Sequence, residues 1–291
     1  MIITARGDSL VLVEQNEHGR IAGELCAAWG GEHVDRPEPA ESARLAAALH
    51  DDGWRIPDAE PRFNAAQARP LHFLEIDLAE HADVYRPGVE HVLSLDPYAG
   101  LLVSMHWTGL YTARWGAVPR SVFASGDSEL GRALATVVDG EERRWIELKR
   151  TLAAGERRSD FEMRLWHNYE TLQAQDVLSL YACTAVLAPA GPDEERAPVT
   201  ATLASLEHRP GVRTIAGVPT RPGGPRLELA LTSVADGVVE VDPFPFAGDS
   251  LTVHVAARAI ERRPYASAAH AREAYAAARG LTIDCELRRA A

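Results

Sequence analysis

The dominant spacing of apolar residues changes around residues 188–198 of this chain, and that change constrains the fold more than any other feature of the sequence. Before the segment APAGPDEERAP (188–198) the apolar residues recur every three to four positions, which is typical of amphipathic helices. After it they alternate, as in LELALTS (227–233) and LTVHVAA (251–257), and alternation is typical of strands. The sequence therefore predicts an α+β protein, with a helical body over 1–190 and a β-rich portion over 191–291.

Start and stop signals divide the helical body. A short hairpin is predicted around Arg6-Gly7-Asp8. Its strands could pair with those of the C-terminal portion in one sheet. Residues 53–90 are rich in Pro, Asp and Asn and predict an irregular, lid-like connection with at most one short helix. We predict helices over 14–29, 40–52, from Asp96-Pro97 onward, over 128–154 and 159–186, and over 267–279, closed by Gly280.

Composition argues against several classes of protein. A net charge of −12 does not fit a nucleic-acid-binding surface, which needs a basic stripe. The three cysteines, Cys26, Cys183 and Cys285, form no CxxC motif and fit a reducing compartment. The N-terminal residues lack a signal-peptide pattern, and no apolar run approaches the roughly 18 residues that span a bilayer. We expect a cytoplasmic protein that acts on a small molecule and has no nucleic-acid or membrane partner. A homo-oligomer is compatible with the sequence.

His50 and Asp51 are adjacent at the end of the alanine-rich run SARLAAALHDDGW. On a helix of about 3.6 residues per turn their side chains point about 100° apart, so both can reach one cation. Acidic residues in the last turn of a helix are disfavoured by the helix dipole. Asp51 and Asp52 therefore indicate a compensating cation, although the dyad alone could also be a helix cap.

Three more residues with suitable chemistry lie on inward helix faces. His18, His106 and Asp176 each align with the apolar stripe of the predicted helix that carries it. Taken singly, the histidines could be hydrogen-bonded core residues and Asp176 the partner of an arginine. Together with the dyad they predict a metal site in the core of a helical bundle. Nitrogen and oxygen ligands favour Fe, Mn, Zn, Ni or Co, as one or two ions.

The order His18, His50-Asp51, Asp176 resembles the HD-domain superfamily of helical metalloproteins, and the resemblance implies that these four residues bind a divalent metal. Four segments, QxxHxxIAGxLxxxWG, HDDGW, DPYAGLLVSMH and LQxxDxLSLY, are similar to an uncharacterised bacterial domain-of-unknown-function family. That second resemblance covers nearly the whole chain, including PFPF at 243–246. The chain departs from simpler HD proteins in its long gap between Asp51 and Asp176 and in the added His106.

The resemblance implies a metal-dependent hydrolase of HD type that acts on a small phosphoester or nucleotide. Two alternatives stay open: an HD-type dinuclear iron oxygenase, and a non-catalytic binding protein stabilised by its metal. The sequence contains no P-loop, dinucleotide-binding, GxSxG or HExxH motif.

Further residues receive roles in these hypotheses. His106 is assigned as a catalytic acid or second-metal ligand, and His72 as the next second-metal ligand, ahead of His81 and His91. The remaining candidates are Asp52 and Asp58 as general bases, with solvated loop carboxylates as the favoured alternative. Gln15, Trp54, Arg55 and Gln173 are candidate substrate-binding residues, although packing is favoured for Trp54, and Arg62 and Arg69 are further phosphate contacts.

Overall fold

A computed structural model describes residues 1–113, 128–184, 197–198 and 212–290. Its helices are α1 (Gln15–Ala28), α2 (Ala40–Leu49), α3 (Arg55–Ala59), α4 (Leu78–Leu95), α5 (Pro97–Gly109), α6 (Glu129–Leu152), α7 (Arg158–Thr184) and α8 (Ala268–Ala277). Its strands are β1 (Ile2–Arg6), β2 (Ser9–Val13), β3 (Phe63–Asn64), β4 (Arg69–Pro70), β5 (Ala197–Pro198), β6 (Val212–Pro219), β7 (Arg226–Ala235), β8 (Val238–Asp242), β9 (Ser250–Glu261) and β10 (Gly280–Arg289). The predicted α+β class is confirmed.

Eight of the described strands form one mixed sheet in the order β1-β2-β9-β10-β8-β7-β6-β5. The N-terminal hairpin joins this sheet as predicted, because β2 pairs antiparallel with β9 from Leu12 opposite Arg258 to Ser9 opposite Glu261. The β10–β8 and β5–β6 pairs are parallel. The two-residue strands β3 and β4 form a separate ribbon.

Both faces of the hairpin are buried, because successive side chains of a strand point to opposite faces. Ile2 and Val13 pack into a core that α1 and α7 share with the sheet. Ile3 and Leu12 pack on the other face, in a smaller core with Tyr275 of α8. The hairpin therefore pairs with β9 and contributes apolar side chains to two cores, one on each face of the sheet.

Helices α1 and α7 each contribute to two cores. Ala22 of α1 and Leu172 of α7 belong to a purely helical core with α2, α4, α5 and α6. Ile21 and Val177 belong to the core beneath the sheet. Polar side chains on these two helices can therefore meet where the two cores adjoin.

The segment over 53–90 is more ordered than predicted. Helix α4 occupies 78–95, although Pro87 lies inside it. The Asp77 carboxylate accepts hydrogen bonds from the backbone N–H groups of Ala79 and Glu80, which fixes the start of the helix. Burial of Val84 and Val92 then outweighs the bond lost at the proline. The prediction of an irregular connection is wrong for this half of the segment.

Two further predictions need correction. Helix α2 ends at Leu49, so His50 is its C-cap and Asp51 lies in the following turn rather than on the helix. Strand β6 was not predicted, because its residues VRTIAGVP do not alternate regularly.

In the described part of the chain, no helix combines the length and apolarity needed to cross a bilayer.

Candidate metal centre

Five buried polar side chains converge where the two cores adjoin. His18 comes from α1, His50 and Asp51 from the end of α2 and its turn, His106 from α5 and Asp176 from α7, and none is more than 4% exposed. Within the described residues they form two groups that could hold a metal ion: His18, His50 and Asp51, and His50, His106 and Asp176. The two groups share His50 and therefore adjoin.

Three distances within the cluster are near those between ligand atoms of a small cation. His18 Nε2 lies 2.9 Å from Asp51 Oδ2, and His50 Nε2 lies 3.6 Å from Asp176 Oδ1 and 3.9 Å from Asp51 Oδ2. Ligand atoms that surround an ion at about 2.0–2.2 Å lie roughly 3–3.5 Å from one another. The atoms are therefore close to the separation that a bound ion imposes.

The outer nitrogen of two rings is fixed by hydrogen bonds. His50 Nδ1 lies 2.7 Å from the carbonyl oxygen of Ala47, which can only accept, so Nδ1 carries the hydrogen. The Ser179 hydroxyl donates to the carbonyl oxygen of Asp176, so it accepts from His18 Nδ1 at 2.7 Å. When either ring is neutral, its Nε2 lone pair is therefore directed into the cluster, which is the tautomer that binds a metal.

His50 Nε2 is buried and has no hydrogen-bond partner, although two carboxylates lie near it. Burial opposes a charged imidazole, but Asp51 and Asp176 outweigh it and raise the pKa of His50 to about 9 in the absence of an ion. Burial likewise opposes the Asp51 carboxylate, yet His50 and His18 hold its pKa well below the ordinary value. The cluster thus needs a cation, whether a proton or a metal ion.

Two other side chains hold Asp51 from outside the cluster. Gln15 Nε2 donates to Asp51 Oδ2 at 3.2 Å, and the Tyr85 hydroxyl donates to Asp51 Oδ1 at 2.6 Å. Gln15 Oε1 is buried without a hydrogen-bond partner. Sequence reasoning missed Tyr85, because α4 was predicted to be irregular. The i, i+4, i+7 spacing of Tyr85, Val89 and Val92 on α4 was the signal that could have found it.

His106 is held by Gln173. Gln173 Nε2 lies 3.2 Å from His106 Nδ1, and His106 Nε2 lies 3.9 Å from Asp51 Oδ1. In this orientation the amide donates to Nδ1, so the ring hydrogen is on Nε2 and points into the cluster. Gln173, expected to bind substrate, here positions a histidine.

Close helix packing brings His18 and His50 together. A Cβ atom on Gly19 of α1 would lie 2.8 Å from the carbonyl oxygen of Ala48 on α2, so only glycine allows this approach. The two imidazole rings consequently meet edge to face, with centroids 4.7 Å apart.

The residues that follow the dyad turn away from the cluster. Asp52 bonds to His91 Nδ1 at 2.7 Å and pairs with Arg55 at 3.2 Å. Trp54 is buried and packs its ring edge against the rings of His81 and Tyr85. The structure does not place Asp52 as a base beside the cluster, because its carboxylate already serves these two partners.

Asp58 and two arginines also have partners elsewhere. The Asp58 carboxylate accepts from the main-chain nitrogens of Met1 at 2.7 Å and Gln15 at 2.6 Å, so it anchors the start of α1. Arg62 pairs with Glu80, and Arg69 pairs with Glu75. These contacts stabilise the fold around the cluster, and the three side chains are not part of it.

His72 belongs to neither of the two groups of side chains that could hold a metal ion. Its Nδ1 accepts the backbone N–H of Leu74 at 3.3 Å and caps a short 3-10 turn. Burial, together with the positive amino group of Met1, lowers the pKa of His72 to about 3. His72 is therefore a neutral capping residue in the folded protein.

This lowered pKa predicts a loss of stability in acid. The unfolded chain protonates His72 near pH 6.5 and the folded chain does not, so the unfolded state binds more protons and the free energy of unfolding falls as pH drops. Between pH 6.5 and 5 the loss from His72 is about 2 kcal/mol. The variant His72→Asn keeps an acceptor at the cap but does not titrate. Urea unfolding at both pH values should show a smaller loss for the variant, whereas equal losses would contradict the assignment.

A family model described as "Protein of unknown function (DUF3891)" matches residues 1–262. A search of curated proteins and a search of solved structures found no match.

Proposed function

The chain belongs to the DUF3891 family, whose function is unknown, and from its buried cluster we propose that it is a metal-dependent hydrolase of HD type that acts on a small phosphoester. His18, His50, Asp51 and Asp176 are the proposed ligands of one divalent ion. The observation that carries the proposal is His50 Nε2, which is fully buried, unpartnered and placed between two carboxylates. The matching order of these residues in HD-type metalloproteins supports it.

Sharing of His50 favours one ion over two. A neutral imidazole whose Nδ1 carries a hydrogen has a single lone pair, so His50 Nε2 can bind only one metal. The histidines considered for a second ion have other partners: His106 Nδ1 accepts the Gln173 amide, His72 caps a turn, His81 Nδ1 bonds to the Tyr111 hydroxyl at 2.8 Å, and His91 Nδ1 bonds to Asp52. A mononuclear centre fits hydrolysis better than a dinuclear iron oxygenase.

The residues around the ion have distinct proposed tasks. A divalent ion held by the four ligands would supply a water of lowered pKa as nucleophile. Gln15 Oε1, a buried acceptor without a hydrogen-bond partner, would accept a hydrogen bond from that water. His106 Nε2 donates its proton to the oxygen that leaves phosphorus, while Gln173 holds the ring through Nδ1.

Arg55 is the arginine nearest to the dyad in sequence, and we propose it as the phosphate contact. Its side chain is 64% exposed and pairs at 3.2 Å with Asp52, three residues earlier. Asp52 is mostly buried but keeps its bond to His91, so a phosphate could take the Arg55 guanidinium without leaving that carboxylate unpaired. Arg69 is mostly buried in its pair with Glu75 and is not available in the same way.

The test begins with elemental analysis and a visible spectrum of protein purified without chelator. We expect one divalent ion per chain, followed by metal-dependent hydrolysis of p-nitrophenyl phosphate or its diester. Asp176→Asn removes one ligand charge without a change of shape and should lower both metal content and rate by at least about a hundredfold. His254→Ala is the matched control, because His254 forms an exposed pair with Asp284 at 2.7 Å.

Other outcomes would overturn the proposal. Two irons per chain with a visible absorption band would favour the oxygenase instead. Absence of metal after reconstitution would mean that the cluster is a polar network of the core. Metal without hydrolysis of any phosphoester would favour a binding protein stabilised by its ion.

A further inference from the structure

The two oxygens of the Asp51 carboxylate have different surroundings. Oδ2 faces His18 Nε2 at 2.9 Å and His50 Nε2 at 3.9 Å, which are the atoms expected to bind the ion, and it also accepts the Gln15 amide through a longer contact of 3.2 Å. Oδ1 instead accepts the Tyr85 hydroxyl at 2.6 Å and lies 3.9 Å from His106 Nε2. One oxygen is therefore turned toward the cation position, and the other is occupied by a phenol.

Tyr85 is the donor in this contact, because an ionised carboxylate has no hydrogen to give. At 2.6 Å the bond has the length of a charge-assisted hydrogen bond, the stronger class. Such a bond competes directly with coordination for the lone pairs of Oδ1.

The Tyr85 ring has little freedom to move away. It stacks on Trp107, with centroids 6.4 Å apart and planes 7° from parallel. The ring edge of Trp54 closes another side. Helix α4 is also fixed against the dyad turn, where Gly53 lies against the backbone of Val84. The position of the hydroxyl is thus set by packing before any ion binds.

We propose that Tyr85 keeps Asp51 a ligand through one oxygen only, an inference that rests on the metal site proposed above. By holding Oδ1, Tyr85 limits the number of protein oxygens around the ion and leaves a position for water. Large cations such as Ca²⁺ take roughly six to eight oxygens and often use both oxygens of a carboxylate. Tyr85 is therefore a positioning residue that also selects transition-metal ions over Ca²⁺.

The test compares the Co²⁺-loaded wild type with Tyr85→Phe. Removal of the hydroxyl frees Oδ1 to bind, so the coordination number rises and the visible d–d absorption of Co²⁺ weakens. The preference for Zn²⁺ over Ca²⁺ should fall at least about tenfold, the scale of effects from outer partners of metal ligands. Tyr265→Phe is the matched control, because the buried Tyr265 hydroxyl donates to the carbonyl oxygen of Glu261 at 2.8 Å, in the smaller core on the other face of the hairpin. It should change neither quantity.

An unchanged Co²⁺ spectrum and an unchanged ion preference in Tyr85→Phe would overturn the inference while leaving the metal site intact. A wild type that binds no Co²⁺ would instead contradict the proposed function. If Tyr85→Phe does not fold, the infrared difference spectrum of the wild type with and without Zn²⁺ decides. Widely separated carboxylate stretches indicate binding through one oxygen, and closely spaced ones, indicating both oxygens, would refute the role of Tyr85.

Discussion

Replacement of His50 by alanine is expected to abolish metal retention, with a loss of affinity of at least about a hundredfold. Substitution of an outer partner already costs roughly 10–100-fold, and His50 is shared by both potential ligand groups. The stability added by metal should disappear as well, which for the wild type at an ion concentration of 100 Kd is about 2.7 kcal/mol. Equilibrium dialysis and thermal unfolding with and without Zn²⁺ measure the two effects.

Two further variants show whether His50→Ala loses metal because a ligand is missing or because the fold is destabilised. His50→Ala also leaves two buried carboxylates without their imidazole, which destabilises the metal-free protein. Asp176→Asn removes a ligand charge and lessens that repulsion, so it should lose metal yet stay folded. His254→Ala should retain full metal content. Normal metal content in His50→Ala would rule out His50 as a ligand.

Gly53→Ala is expected to lower the free energy of unfolding by about 3 kcal/mol or more, at the upper end of overpacking effects. A Cβ atom at this position would lie 1.9 Å from the carbonyl oxygen of Val84, so the dyad turn and α4 must separate. The contact between Tyr85 and Asp51 spans the same interface and should weaken with it. Urea unfolding reports the stability, and Zn²⁺ titration reports the site.

Gly140→Ala is the control, and it is expected to raise the free energy of unfolding instead of lowering it. Gly140 lies within α6, where a Cβ atom would meet nothing within 4 Å. Alanine there should stabilise the protein by roughly 0.5–1 kcal/mol through helix propensity alone. Equal stabilities of Gly53→Ala and wild type would show that the turn adapts and that its close approach to α4 is not required.

Local signals predicted much of the fold. The Asp96-Pro97 start of α5 is confirmed, since the Asp96 carboxylate accepts from the N–H groups of Tyr98 and Ala99. Helices α1 and α6 begin and end close to the predicted bounds, and α7 begins close to its predicted start, because the spacing of apolar residues identifies each of them; the predicted end of α7 at 186 lies outside the described residues. The strand order was beyond prediction. It depends on pairings such as β2 with β9, which leave no local trace in the sequence.

The site shows the same division. Inward helix faces correctly indicated that His18, His106 and Asp176 are buried, because the apolar stripe defines direction. The roles expected for Asp52, Asp58 and His72 depended on nearness in sequence or on counting histidines. Tertiary partners occupy Asp52 and Asp58 instead, and His72 caps a short turn; neither burial nor pairing can be read from spacing. Tyr85 was missed because a proline concealed the helix that carries it.

Pairing of the N-terminal hairpin with β9 has a consequence for synthesis of the chain. Leu12 emerges from the ribosome about 250 residues before its partner Arg258. At roughly 5–20 residues per second the hairpin therefore waits about 12 to 50 s for that strand. Throughout this interval Ile3 and Leu10, which the finished protein buries, lack the strand that covers them. The nascent chain thus exposes an apolar N-terminal segment, to which chaperones can bind, until β9 has been synthesised.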